Sequence, residues 1–478
     1  MESLEKVERK ELEVTIDNQK AKGSHLDLGG VSVFPRKYSE RSVGFGGLTV
    51  IWFAMSVQLA LFMSTAQMYP SLSGWQILLA LLLAYSLVAV VMWFTQDLGI
   101  KYGIPFAVAM RTSFGYMGTQ IPAYLRAIPA MFWFGFQTWI GAMAIAAVTN
   151  MLFGWSNLLL YIIIFAAIQI VHTYFGIRPV LRISLVATPI LIGVGIYLLV
   201  LLLSRYDKSF WEVMAMGGKG GGVSLPLGTM VLVGGWATLA VSIQDITREC
   251  KVSAEETESW WKSTKKYIAA QWIGLVPASM FFGIIGFVSM VVIGDWNPIV
   301  IMTKVIGPES PVMLILCLLF VFLATWSTND SANLFPPAYV ISNTWPSKIT
   351  FGMGVIIAGV IGVVIQPWKA APQIITALGV IGGALAPVAG IIICDYYILR
   401  RRKININELY TPNGQYKYWK NWNPAALISY GIAIAVSIPV WDYMYIVGMV
   451  VSGIAYFFLM KLWIVKVYPQ PEITREYR

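Results

Sequence analysis

The chain has 478 residues, of which 57% are apolar and 12% charged, against roughly 45–50% and about 25% in soluble domains, so an ordinary water-soluble globule is excluded. The apolar complement is enough for about twelve membrane spans of roughly 20 residues each. The formal charge of +10, from 34 Lys and Arg against 24 Asp and Glu, does not point to nucleic acid, because the basic residues gather beside the ends of apolar segments, as cytoplasmic anchors do.

The first 43 residues mix acids and bases (Glu2, Glu5, Lys6, Glu8, Arg9, Lys10, Glu11). They cannot form the apolar stretch of a cleavable signal, so a cytoplasmic tail is expected and the first span must itself direct insertion. Spans are predicted near 44–69, 74–98, 120–152, 157–175, 183–203, 226–249, 267–293, 309–342, 350–366, 372–398, 424–441 and 443–465. The third reads MFWFGFQTWIGAMA, in which Trp133 and Gln137 lie four apart, about 40° round a helix, so an indole and a carboxamide share one face. That face suits a flat polar ring: the indole stacks on it, and the amide donates and accepts along an edge of alternating N–H and C=O. Tryptophan marking a membrane interface is the plainer alternative, and it stays open at this point.

After span five, the stretch GGKGGG at 217–222 lacks the Ser or Thr that follows Lys in a phosphate loop, and it reads as a flexible external linker. Span six reads MVLVGGWATLAVSIQDITREC, with Gly234 and Gly235 before Trp236, each weakening a helix by about 1 kcal/mol relative to Ala. Either the helix breaks there and lines a cavity, or the glycines let helices pack closely. Span eight reads LATWSTNDSANLFPPAY, a concentration of polar groups where isolated ones are costly. Ser327 and Thr328 offer hydroxyl oxygens to a hard monovalent cation, and Asn333 offers an amide to a substrate; hydroxyls bonding back onto their own helix are the alternative. Arg126, Asp330 and Asp395 are functional candidates as ionisable groups in or near spans, with Arg126 and Asp395 expected at helix ends.

Twelve spans put both termini on one side. With the amino terminus inside, 28 Lys and Arg fall inside and 5 outside, Arg126 being left within a span, which orients both termini to the cytoplasm. The chain then divides into a tail (1–43), spans one to five (44–204), an external loop (205–225), spans six to ten (226–399), a cytoplasmic loop (400–423), spans eleven and twelve (424–466) and a tail (467–478). Five spans per half, an odd number, makes the second half an inverted copy with a site at midplane between them. Cys250, Cys317 and Cys394 form no disulfide framework or metal motif. His25 and His172 are too far apart to pair on a metal, and no Ser, His and acid set suggests a hydrolase, so no enzyme is expected.

Six separated motifs run in order along nearly the whole chain: KYSERSVG then IWFAMSVQ (51–58), FWFGFQTWIGA (132–142), VGGW with DI and EC after it (233–250), QWIGLVPAS (271–279), ATWSTN then AN (324–333), and LAPVAG with DYY (385–397). On these the chain resembles the nucleobase:cation symport type 1 family, most closely its bacterial sodium-hydantoin branch. The resemblance implies an all-α, leucine-transporter-like fold of ten core helices in two inverted repeats plus two more, with spans one, two, six and seven forming a bundle.

The same resemblance implies that Trp133 and Trp236 stack on the two faces of a planar ring. Gln137 and Asn333 would bond its edge, Gly235 would contribute backbone, Gln58 would lie close by, and Leu378, followed by glycines, would close an outer gate. It also implies a sodium site made from the carbonyls of Ala54, Val57 and Ala324 and the hydroxyls of Ser327 and Thr328. Span one carries neither Gly nor Pro near 54–58, so its residues alone indicate no break. Asp330 stands where the family carries an uncharged residue; it adds charge near the cation, takes up a proton, or pairs helices on the cytoplasmic side. The implied activity is import of hydantoins or related cyclic ureides with sodium, by alternating access across a bacterial inner membrane. The alternative is a proton-coupled allantoin or nucleobase permease on the same fold. The expected partners are a small planar heterocycle and the lipid bilayer, with no nucleic acid, and a monomer is expected.

Overall fold

The computed structural model describes residues 34–174, 178–206, 208–345 and 348–474, with the short pairs 27–28 and 31–32; for those pairs and for 178–188, 191, 324, 327, 331 and 343 it describes the backbone alone. Residues 1–26 of the expected tail therefore lie outside the described residues. Among the described residues the fold is mainly helical, with one two-residue antiparallel pairing of Asp27–Leu28 with Val31–Ser32 and isolated bridges between Val43 and Cys250 and between Trp419 and Trp422.

The first apolar run forms two helices, α1 (Phe45–Ser56) and α2 (Leu59–Ala66), bent by 50°. There follow α3 (Gly74–Tyr102), α4 (Gln120–Phe153), α5 (Leu158–Tyr174), α6 (Arg178–Ser204), α7 (Leu225–Ser242) and α8 (Trp260–Ile293). Then come α9 (Pro311–Asn329), continued by a π-helical turn (Asp330–Leu334) into α10 (Phe335–Thr344), α11 (Phe351–Val364), α12 (Ile374–Ile393), α13 (Pro424–Ser437) and α14 (Met444–Leu459). Each apolar run predicted as a span falls on these helices. By length and composition, six helical stretches among the described residues are able to cross a bilayer, and the bent α1–α2 pair makes a seventh. The stretch Pro424–Val467 counts once in that reckoning, yet it turns at Val440 (φ −115°, ψ 49°) and α13 packs back on α14, so it is a hairpin.

Local chemistry marks the helix ends. Ser73 Oγ accepts from Gln76 N at 3.3 Å while the Gln76 side chain accepts from Ser73 N at 2.9 Å, so two of the first-turn amides of α3 are satisfied reciprocally. α3 stops at Gly103, whose φ of 68° costs glycine least. Ser259 and Ser310 cap α8 and α9, the latter with Pro311 in its first turn, where a missing N–H is harmless.

α8 packs on α1, α2 and α3, and α7 packs on α3, giving a bundle of five helices in which the bent α1–α2 pair acts as one segment. Beside it, α4 packs on α5, α9, α10 and α11, while α12 bridges α7 to α14. The loop after α12 is fixed to the bundle by Arg402, which donates to both Asp97 oxygens of α3 at 2.7 and 3.0 Å, a bidentate geometry that a single point charge cannot match.

One open alternative is decided and two expectations are corrected. α7 does not break at Gly234–Gly235: it runs helically to Ser242, and a Cβ on Gly234 would lie 2.0 Å from Leu378 O, so close packing is what these glycines serve. The 217–222 stretch is a defined loop, with Gly217, Gly218, Gly220 and Gly221 at positive φ and the amides of Lys219 and Gly220 donating to Pro70 O and Ser71 O, each at 3.3 Å. Arg126 is inside α4, six residues past Gln120, and 3% exposed. Asp395 does sit at a helix end, in the π-helical turn after α12, where Arg400 donates to it at 2.9 Å.

Candidate functional site

The break between α1 and α2 organises the site. At Val57 (φ −77°, ψ 82°) and Gln58 (φ −120°, ψ 129°) the chain leaves helical geometry, and Gln58 N donates to Ser56 O at 3.0 Å. In an uninterrupted helix that amide would donate to Ala54 O, so the Ala54 carbonyl loses its helical donor. Ser56 Oγ meanwhile donates to Trp52 O at 2.6 Å, and such back-bonding bends helices. The same back-bond occurs at Thr95 and Thr138 inside unbroken helices, so the serine alone does not mark the break in the sequence.

A narrow cavity of about 40 Å³ lies at the break, with Val57, Gln58, Gln137, Thr325 and Thr328 among its lining residues. It has room for about three waters and too little for a planar ring, so a ring enters only when the surrounding helices separate. Gln58 from the break and Gln137 from α4 make no side-chain hydrogen bonds among the described residues. Two uncommitted carboxamides therefore face one space, together with Val57 and Thr328 of the expected sodium ligands. The side chains of Ala324 and Ser327 lie outside the described residues; their backbone is in α9.

Trp133 and Trp236 are both buried, 6% and 4% exposed, in the same core, but they do not line that cavity. Trp236 meets Trp52 edge-on, the ring centres 5.3 Å apart at 61°, and Trp133 meets Phe132 and Phe136 edge-on at 5.5 and 5.6 Å. The Trp133 indole N–H finds no acceptor among the described residues. Gly235 and Leu378 are brought together: a Cβ on Gly235 would lie 3.9 Å from Leu378 Cδ2.

Asn333 belongs to a polar network that its sequence position did not reveal. Asn333 Nδ2 donates to Asn329 Oδ1 at 2.9 Å, and Asn329 Nδ2 reaches Gln169 Oε1 (2.8 Å), Phe134 O (2.9 Å) and Thr138 Oγ1 (3.1 Å). The network ties the π-helical turn to α4 one turn from Gln137. Asp330 points the other way. Its Oδ2 lies 2.7 Å from His172 Nδ1 of α5 and accepts from Trp326 Nε1 at 3.1 Å, so it pairs helices and does not line the cavity. His172 was too isolated in the chain to be singled out; it reaches Asp330 across 158 residues.

Residues 35–464 match the family described as permeases for cytosine/purines, uracil, thiamine and allantoin. The chain is 43% identical over 436 residues to the hydantoin permease of Microbacterium maritypicum, covering 91% of this chain and 89% of the relative. Among solved structures it is similar to the inward-facing conformation of Mhp1, with a TM-score of 0.88 and 42% identity over 94% of this chain and 97% of that one. It is also similar to Mhp1 as a nucleobase-cation-symport-1 family transporter in a closed conformation with bromovinylhydantoin bound, with a TM-score of 0.86 and 42% identity over 93% and 98% of the two chains.

Proposed function

The chain belongs to the family of permeases for cytosine/purines, uracil, thiamine and allantoin, and from that premise we propose that it is a sodium-coupled symporter importing hydantoins or closely related cyclic ureides. It is an integral membrane transporter and not an enzyme. One observation supports the finer reading: uncommitted amides of Gln58 and Gln137 share a cavity with Val57 and Thr328 at the break between α1 and α2, and these are residues that the reading assigns to ligand and ion. A relative with bromovinylhydantoin bound supports the choice of ligand class.

In this reading Trp133 and Trp236 sandwich the ring once the helices part, Gln137 and Asn333 bond its edge, Gly235 supplies backbone, Gln58 lies alongside and Leu378 closes over it. Sodium is held by the carbonyls of Ala54, Val57 and Ala324 and the hydroxyls of Ser327 and Thr328. Neutral oxygens bind the ion weakly enough to release it inside, and an inside-negative potential contributes about 2.3 kcal/mol per 100 mV for each charge. Ion and ligand must then raise each other's affinity by equal factors. The proposed topology has twelve spans, the first ten as a five-plus-five inverted repeat, with both termini cytoplasmic, in a bacterial inner membrane and as a monomer. The divisions at 43, 204, 225, 399, 423 and 466 follow from it.

Titrating tryptophan fluorescence with benzylhydantoin, with and without sodium, tests the proposal. Ligand affinity is expected to rise with sodium, and equal affinities would refute coupling. The Asp330–His172 pair, with its carboxylate buried and its imidazole partly exposed, favours a second reading, a proton-coupled allantoin or nucleobase permease. Under it Asp330→Asn abolishes pH-dependent uptake; under the first reading that variant retains sodium-dependent uptake.

A further inference from the structure

Arg126 takes no part in the site described so far, and its surroundings are unusual. The side chain is 3% exposed within a helix able to cross the membrane, where a charge without a partner is expensive to keep. No carboxylate forms an ion pair with it among the described residues. Its Nε–H donates to Ser242 Oγ of α7 at 2.8 Å, and Ser242 Oγ in turn donates to Thr238 O at 2.8 Å. The serine is thereby fully oriented as an acceptor for the guanidinium. Arg126 Nη1 is buried and bonded to nothing among the described residues. The carboxylate that attracts it, Asp245, forms no ion pair with it and spends one oxygen on Phe106 N at 2.8 Å.

The positions align with the ligand site. Arg126 precedes Trp133 by seven residues and Gln137 by eleven, which places all three within about 20° of one line along α4, with Arg126 about 10 Å toward the cytoplasmic end from Trp133. On α7, Ser242 follows Gly235 by seven residues and shares its face in the same way. The Arg126–Ser242 bond thus joins the two helices that carry the ring-binding candidates, two turns below them.

We infer that Arg126 is a ligand contact on the cytoplasmic route, its Nη1–H donating to a ring carbonyl oxygen of the departing ureide while Ser242 holds the guanidinium through Nε. A guanidinium is a fixed fork of donors without acceptors, which matches the carbonyl oxygens of a ureide and completes the bond that Nη1 otherwise lacks. A methionine or leucine would fill the same space without desolvating a charge, so packing does not account for the arginine. The inference rests on the symporter reading above.

The test uses the full chain in proteoliposomes, with counterflow of labelled benzylhydantoin and fluorescence titration of the same ligand. Arg126→Ala is expected to exchange about tenfold more slowly or worse, as loss of a charged hydrogen bond requires, with Arg126→Lys between it and the parent. Methylguanidinium is expected to restore part of the Arg126→Ala rate, which a merely structural arginine would not permit. Arg126→Ala exchanging at the parent rate overturns the inference, as does a deficit unmoved by methylguanidinium while the titration still saturates. If Arg126→Ala does not titrate at all, Ser242→Ala decides: it keeps the guanidinium but frees Nε, slowed exchange supports the inference and the parent rate overturns it. Parent protein that exchanges no hydantoin overturns the symporter reading instead.

Discussion

Gly234 and Gly235 are neighbours whose replacement by alanine should have opposite consequences. A Cβ on Gly234 would lie 2.0 Å from Leu378 O and 2.8 Å from Leu378 C, whereas ordinary contact begins at 3.4 Å. The obstacle is backbone, so the 1.4 Å shortfall between 2.0 and 3.4 Å is met only by moving α7 away from α12. Relief by rotamer change is closed off, and the cost belongs at the upper end of overpacking, about 3 kcal/mol. A Cβ on Gly235 meets only Leu378 Cδ2 at 3.9 Å, and alanine there strengthens the helix by up to about 1 kcal/mol. Thermal unfolding of the two variants and the parent in one detergent, followed by tryptophan fluorescence, is expected to rank Gly234→Ala well below the parent and Gly235→Ala level with it or above. Equal melting of Gly234→Ala and the parent, or equal losses in both variants, would show that α7 and α12 are not in backbone contact.

Thr328→Ala removes a hydroxyl from the proposed ion site and should raise the sodium concentration needed for half-maximal ligand affinity about tenfold; an unshifted sodium dependence rejects that role. His172→Ala leaves the Asp330 carboxylate buried with Trp326 as its donor and is expected to cost about 1–3 kcal/mol, whereas Asp330→Asn removes the charge and costs less. A melting order with Asp330→Asn lowest would contradict this. Cys250 lies just past the sixth span and is fully buried, and burial pushes its thiol above the ordinary range. The folded state then holds its proton more tightly than the unfolded one, so this contribution to stability is complete below about pH 8.5 and declines as pH rises past that value. Between pH 7 and pH 10 the parent should lose more melting temperature than Cys250→Ala, and parallel losses would refute the assignment.

The helices were largely legible because lipid imposes a one-dimensional rule: a spanning segment must be apolar for about 20 residues and satisfy its own backbone. Trp133 and Gln137 were legible for a similar reason, since four-residue spacing places two side chains on one helix face. The break after Ser56 was not, because Ser56 Oγ bonding to Trp52 O is one of several conformations that a serine permits. The two meanings of Gly234–Gly235, broken helix or close packing, differ only in what lies opposite, and nothing in span six says that Leu378 O does.

The amino-acid sequence by itself determined that this is a helical membrane protein and roughly where its apolar helices lie. Periodicity and hydropathy are properties of neighbouring residues, so they can be read along the chain. Tertiary structure decided who meets whom: Asp330 with His172, Asn333 with Asn329, Arg126 with Ser242, and Gln58 with Gln137 around one cavity. Except for Asn333 with Asn329, one turn apart in the same helical stretch, each of these joins segments distant in sequence and depends on how helices rotate and lean against each other. That arrangement is set by close packing over the whole bundle rather than by any local preference.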